Sequence, residues 1–157
     1  MELKKRLVLP IVSLLATAGL ALTCSVATPA MAAESDAQPR TAENQWYDFY
    51  FDSPGASQGI YGVQKDDTTP SWITVTNMTL YDINLYIDGG VYQSGPWTNC
   101  TTGGVAYLVD PGDWAIHNYV KEAGYDWARL TGWSPDEPGD LEGWWSPDSW
   151  GSYPSLN

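Results

Sequence analysis

Histidine, cysteine and positive charge are scarce in this chain of 157 residues: it has one histidine, two cysteines, and seven Lys and Arg against nineteen Asp and Glu. One imidazole, His117, leaves a Ser-His-Asp relay with a single possible base, and no Gly-x-Ser-x-Gly turn presents a serine to it. One histidine and so few thiols also fall short of the usual tetrahedral zinc set. A disulfide framework is excluded by count, because Cys24 lies in the first thirty residues and Cys100 then stands alone in the remainder of the chain. Cys100 is expected to be buried as a small hydrophobe, with an intermolecular disulfide as the other outcome. The shortage of cations makes nucleic acid and anionic membrane poor partners, since both would be repelled.

The N-terminus supplies what the rest withholds, a long apolar run. Lys4, Lys5 and Arg6 precede it, Pro10 and Gly19 interrupt it, and Ala30-Met31-Ala32 closes it. That order of charged, apolar and small residues reads as a secretory signal peptide over residues 1–32, cleaved after Ala32, rather than a membrane anchor or a lipoprotein leader. Residues 33–44 are small and polar and read as a disordered linker, and residues 45–157 as one domain. Cleavage would remove three basic residues and one acidic one, leaving four against eighteen and a net charge near −14. The expected product is a secreted, extracellular protein, no longer membrane-bound, with no cofactor implied by any motif.

Such an acidic chain avoids disorder through its aromatics: nine Trp and ten Tyr, with all of the Trp after residue 32. The run WYDFYFD alternates, placing Tyr47, Phe49 and Phe51 on one face and Asp48 and Asp52 on the other, the pattern of a half-buried strand. GIYGVQK (59–65) is a weaker strand. SWITVTNM (71–78) and DINLYID (82–88) alternate again, and they read as antiparallel neighbours joined by a tight turn near Thr79 to Tyr81. GVAYLVD (104–110) and WAIHN (114–118) flank Asp110-Pro111-Gly112-Asp113, a turn in which proline presets φ and glycine accepts positive φ. Residues 89–104 read as a loop. Gly124 limits any helix to about one turn before a strand from Tyr125 to Leu130. Short strands with frequent turn signals and no sustained helical period predict an all-β fold, a small antiparallel β-sandwich with at most one short helical turn.

Several stretches together resemble a family of small secreted proteins of Gram-positive bacteria: TVTNMTLYDINLYID (74–88), Asn99-Cys100-Thr101, HNYVKEAGYDWARLTG (117–132) and GWWSPDSWGSYP (143–154). The resemblance rests on an NYVxExGYxxARL stretch and a terminal GxWSPDS. It implies export and a compact domain, and it brings no activity and no catalytic residue with it.

Trp-Ser-Pro-Asp occurs twice, at 133–136 and 145–148. Asp136 and Asp148 have the residue type of a glycosidase acid pair, which needs the two carboxyls about 5 to 10 Å apart. The simpler reading is two turns, each Trp tucked inward, each Pro ending strand pairing and each Asp accepting backbone N–H groups. Asp136, Glu137, Asp140 and Glu142 form an acidic loop that leaves a calcium ion open, although the spacing is not that of an EF-hand. Arg129 lies in the apolar run Trp127 to Leu130 and needs a carboxylate, with Glu122, across the Gly124 turn, as the expected structural partner. Trp133, Trp144, Trp145 and Trp150 crowd the end of the chain, either as a plug over the sandwich or as a platform for sugar rings. These features favour a non-enzymatic binding module for cell-wall or other extracellular glycan, with a secreted bacteriocin-like or signalling antagonist of neighbouring cells as the alternative.

Overall fold

The computed structural model describes residues 44–157, so the expected signal peptide and nearly all of the expected linker lie outside the described residues. Ten strands follow one another: β1 (Gln45–Phe51), β2 (Ser57–Gly59), β3 (Val63–Gln64), β4 (Ser71–Met78), β5 (Ile83–Gly90), β6 (Thr98–Asn99), β7 (Ala106–Leu108), β8 (Gly112–Ile116), β9 (Trp127–Trp133) and β10 (Gly139–Ser146). They form two antiparallel sheets, one of four strands in the order β1-β10-β4-β8 and one of six in which β2, β9, β5 and β6 run side by side. In the second sheet β3 also pairs with β9, and β7 with β5. The two sheets pack face to face as a β-sandwich, as the alternation predicts.

The core lies between the inner faces. Tyr47, Phe49 and Phe51 from β1 meet Ile73 and Val75 from β4 and Leu141 and Trp145 from β10. The opposing sheet supplies Ile83, Leu85 and Ile87 from β5 and Leu130 from β9. Successive strand residues face opposite ways, so one buried series per strand suffices to close two layers. Cys100 is fully buried in this core and carries no disulfide, the packing role expected of it. Burial pushes its thiol above the ordinary range, which favours the neutral form.

The expected helical turn is a hydrogen-bonded turn over residues 120–124. Tyr125 N–H donates to the Val120 carbonyl and Gly124 N–H to that of Lys121, both at 3.0 Å, the bonding pattern that ends helices on a left-handed residue. Gly124 takes that place with φ of 83°.

Three expectations are corrected. The strands at 71–78 and 82–88 are not hairpin neighbours: β4 belongs to the four-stranded sheet and β5 to the other, and Thr79 to Tyr81 crosses between layers. Alternation marks a buried face without saying which sheet it belongs to. The acidic stretch read as a loop is half strand, because Asp140 and Glu142 alternate with Leu141, Gly143 and Trp145 through β10. Boundaries also moved. The weak strand at 59–65 divides into β2 and β3, the return strand is 112–116 rather than 114–118, β7 is shorter than 104–110, and the strand expected at 125–130 runs over 127–133. The loop at 89–104 contains the short β6.

Candidate functional site

Among the described residues β1 is an edge strand, paired with β10 on one side only. Its outward residues, Trp46, Asp48 and Tyr50, stand opposite Trp144, Glu142 and Asp140 of β10. Outward neighbours in such a ladder touch, and the Trp46 and Trp144 rings meet edge to face with centroids 5.3 Å apart. Both indoles remain open to solvent, at 47% and 42% exposure.

Next to this pair, where β1 faces β2 across the sandwich, lies an open cleft of about 930 Å³. Trp46, Asp48, Tyr61, Trp97, Gln93 and Arg129 are among its lining residues. Trp97 fills a seat made by glycines. A Cβ on Gly62 would lie 2.5 Å from its ring and one on Gly90 3.0 Å, so neither position has room for a side chain. Arg129 sits over the Trp97 ring at 4.9 Å and donates Nε–H to Asp88 at 3.0 Å, while Thr131 Oγ1 donates to the same carboxylate at 2.7 Å. Gln58 crosses the cleft to β1: its side-chain oxygen accepts from Tyr50 N–H at 3.3 Å and its amide donates to the Tyr50 carbonyl.

Arg129 therefore has its carboxylate, but from Asp88 on the neighbouring strand and not from Glu122, which is exposed. Register decides this: Asp88 is directly opposite Arg129 across β5 and β9, whereas Glu122 lies in the turn before β9. The four late tryptophans do not form one plug or one platform. Trp145 is fully buried and Trp144 faces outward because they are consecutive on β10. Trp133 is half-buried, donating Nε1–H to the Gly55 carbonyl at 3.1 Å, and Trp150 is 59% exposed. Sequence reasoning missed Trp46 and Trp97. Trp46 was signalled by its place on the polar side of the first alternating run, but its meeting with Trp144 needs the β1–β10 register. Trp97 lies in a stretch without period and gives no such signal.

Asp136 and Asp148 are also separated. Asp136 precedes β10 and Asp148 follows it, and an eight-residue strand spans about 24 Å. That distance is too great for a shared glycosidic bond. Asp136 is exposed, whereas Asp148 is buried against Lys65. Lys65 Nζ donates to Asp148 Oδ1 at 3.1 Å, the Pro147 carbonyl at 2.6 Å and the Thr69 carbonyl at 2.7 Å. Three acceptors satisfy the three hydrogens of one ammonium. Asp148 also accepts Asp66 N–H at 2.9 Å and Asp67 N–H at 3.4 Å. Burial pushes the Asp148 carboxyl up and the Lys65 amine down from their ordinary values, against the pull of the pair. The cluster is a clamp between the segment after β3 and the segment after β10.

No group of three or more His, Cys, Asp or Glu among the described residues is arranged to hold a metal ion. In the acidic stretch, Glu137 instead accepts Tyr81 N–H at 2.6 Å and Asp140 N–H donates to Thr79 Oγ1 at 2.7 Å. Residues 30–149 match a protein family described as a protein of unknown function, DUF2712. No curated protein and no solved structure matches the chain.

Proposed function

The chain belongs to the DUF2712 family of proteins of unknown function, and from its site we propose that it is an exported, non-catalytic module that binds glycan. The observation that carries this is the exposed Trp46–Trp144 pair at the mouth of a cleft that also offers Trp97, Tyr61, the Asp48 carboxylate and the side-chain oxygen of Gln93, whose amide nitrogen donates to the Gly62 carbonyl at 3.1 Å. Sugar rings have an apolar face that rests on an indole and a rim of hydroxyls that needs fixed donors and acceptors, and the cleft supplies both kinds of surface.

Charge narrows the class. The described residues contain three cations, and each faces a carboxylate: Lys65 with Asp148, Lys121 with Asp126 and Arg129 with Asp88. Anionic polymers therefore meet no uncommitted cation among them, and neutral or amine-bearing glycans fit better.

Titration of the protein with soluble chito-oligosaccharide, followed by tryptophan fluorescence, tests the reading. Saturable quenching lost in Trp46→Ala and kept in Trp133→Phe supports it, and no quenching at millimolar sugar sinks it. N-terminal sequencing of protein from the culture medium tests export, with Ala33 as the expected first residue.

A further inference from the structure

A second feature of the cleft, independent of its rings, is the bare backbone edge of β1. Tyr50 stands opposite Asp140, whose own N–H and C=O are spent on Thr79, away from β1, at 2.7 and 3.0 Å. Residues so placed in an antiparallel pair direct their backbone groups outward from the ladder. Tyr50 accordingly gives both groups to the Gln58 side chain, which imitates one residue of a neighbouring strand. Asp48 and Trp46 are two and four residues back along the same strand and face the same way. Their N–H and C=O groups open into the cleft and take no partner among the described residues. An edge with spare donors and acceptors at about 6.8 Å intervals matches the outward groups of an extended peptide.

The Asp48 carboxylate lies on this lip, and the one cation lining the cleft, Arg129, is already committed to Asp88 and Trp97. A peptide carrying an amine side chain would complement it, whereas a second copy of so acidic a chain would be repelled. We infer that the ligand is a glycan bearing a short peptide: its sugar rings lie on Trp46 and Trp144, and its peptide adds as a strand along Trp46 and Asp48 with an amine toward the Asp48 side chain. This inference rests on the glycan reading and sharpens it.

The test is calorimetric titration with three probes: a soluble N-acetylglucosaminyl-N-acetylmuramyl tetrapeptide containing lysine, the same disaccharide without peptide, and the tetrapeptide alone. The peptide-bearing sugar should bind at least about tenfold more tightly than either part, the worth of one or two added hydrogen bonds. Its binding should also slow hydrogen exchange at the Trp46 and Asp48 amides. Equal affinity for both sugars would overturn the inference and leave the glycan reading standing, whereas binding of neither sugar would remove both. Peptide alone binding as tightly as the conjugate would also overturn it. So would protection of the two amides by self-association without ligand. Asp48→Pro deletes an edge donor and should abolish the peptide's contribution, and the exchange readout on the unaltered chain decides the matter if that variant fails to fold.

Discussion

The same four residues, Trp-Ser-Pro-Asp, end two strands of this molecule and do different work in each place. After β9 the copy makes a surface turn. Trp133 is half-buried, Ser134 exchanges backbone hydrogen bonds with Gly55 and Ala56 at 2.7 and 3.0 Å, and Asp136 is exposed. After β10 the copy is part of the core. Trp145 is fully buried, the Pro147 carbonyl accepts from Lys65 and from Ser71 Oγ, the latter at 3.0 Å, and Asp148 receives an ammonium and two backbone N–H groups. The lesson is that a motif specifies a local shape, and the partner it meets specifies its energy.

The sharpest break between the copies comes from removing each aspartate. Asp148→Ala strands a buried ammonium and should cost about 3–5 kcal/mol in urea unfolding. Lys65→Met should cost a similar amount by stranding the carboxylate, while the double variant Lys65→Met, Asp148→Leu should recover most of the loss, because burial already works against both charges. A double variant no more stable than the singles would show that the backbone bonds of Asp148, rather than the pair, hold the segment.

The tryptophans come next. Trp145→Ala should cost about 3–5 kcal/mol, as for a large buried side chain, and Trp133→Ala clearly less, since that ring is partly solvated before the change. Equal losses would remove the distinction between core and surface copies.

Tyr47 extends the contrast to pH. It is buried beside β10 and donates to the Thr74 carbonyl at 3.2 Å, and burial holds its hydroxyl well above its ordinary value of 10.0. Because the folded group keeps its proton while the unfolded one loses it, its contribution is complete below pH 10 and declines above, by about 1.4 kcal/mol per pH unit. Tyr47→Phe should flatten the fall in stability between pH 10 and 11, and an unchanged slope would contradict the burial.

The smallest effect belongs to the exposed end of the comparison. Asp136→Ala should move stability by no more than about 0.5 kcal/mol, as for a surface change without a buried partner. A larger loss would give the first copy a partner that its exposure does not suggest.

Much of the fold was legible in the residues. Tyr47, Phe49 and Phe51 announced an inner face, as did Ile83, Leu85 and Ile87, and period-two alternation carries over directly into two layers. β10 was the main loss, because its glycines and acids mimic a loop while Leu141 and Trp145 keep the strand period. The site was legible only in its parts. Trp144 was one of four late tryptophans that the residues alone could not tell apart and Trp46 could be placed on an outward face, but their contact depends on pairing across almost a hundred residues of chain. Arg129 declared its need for a carboxylate without showing that Asp88 would meet it.

By itself the sequence determined a strongly acidic, aromatic-rich β chain with alternating strands, because composition and alternation act locally and additively. Only the tertiary structure decided which strands became neighbours, and with that which indoles met, which charges paired and which backbone edge was left open. Those are matters of register, and in an antiparallel sheet a shift of one residue would exchange every inner side chain for an outer one.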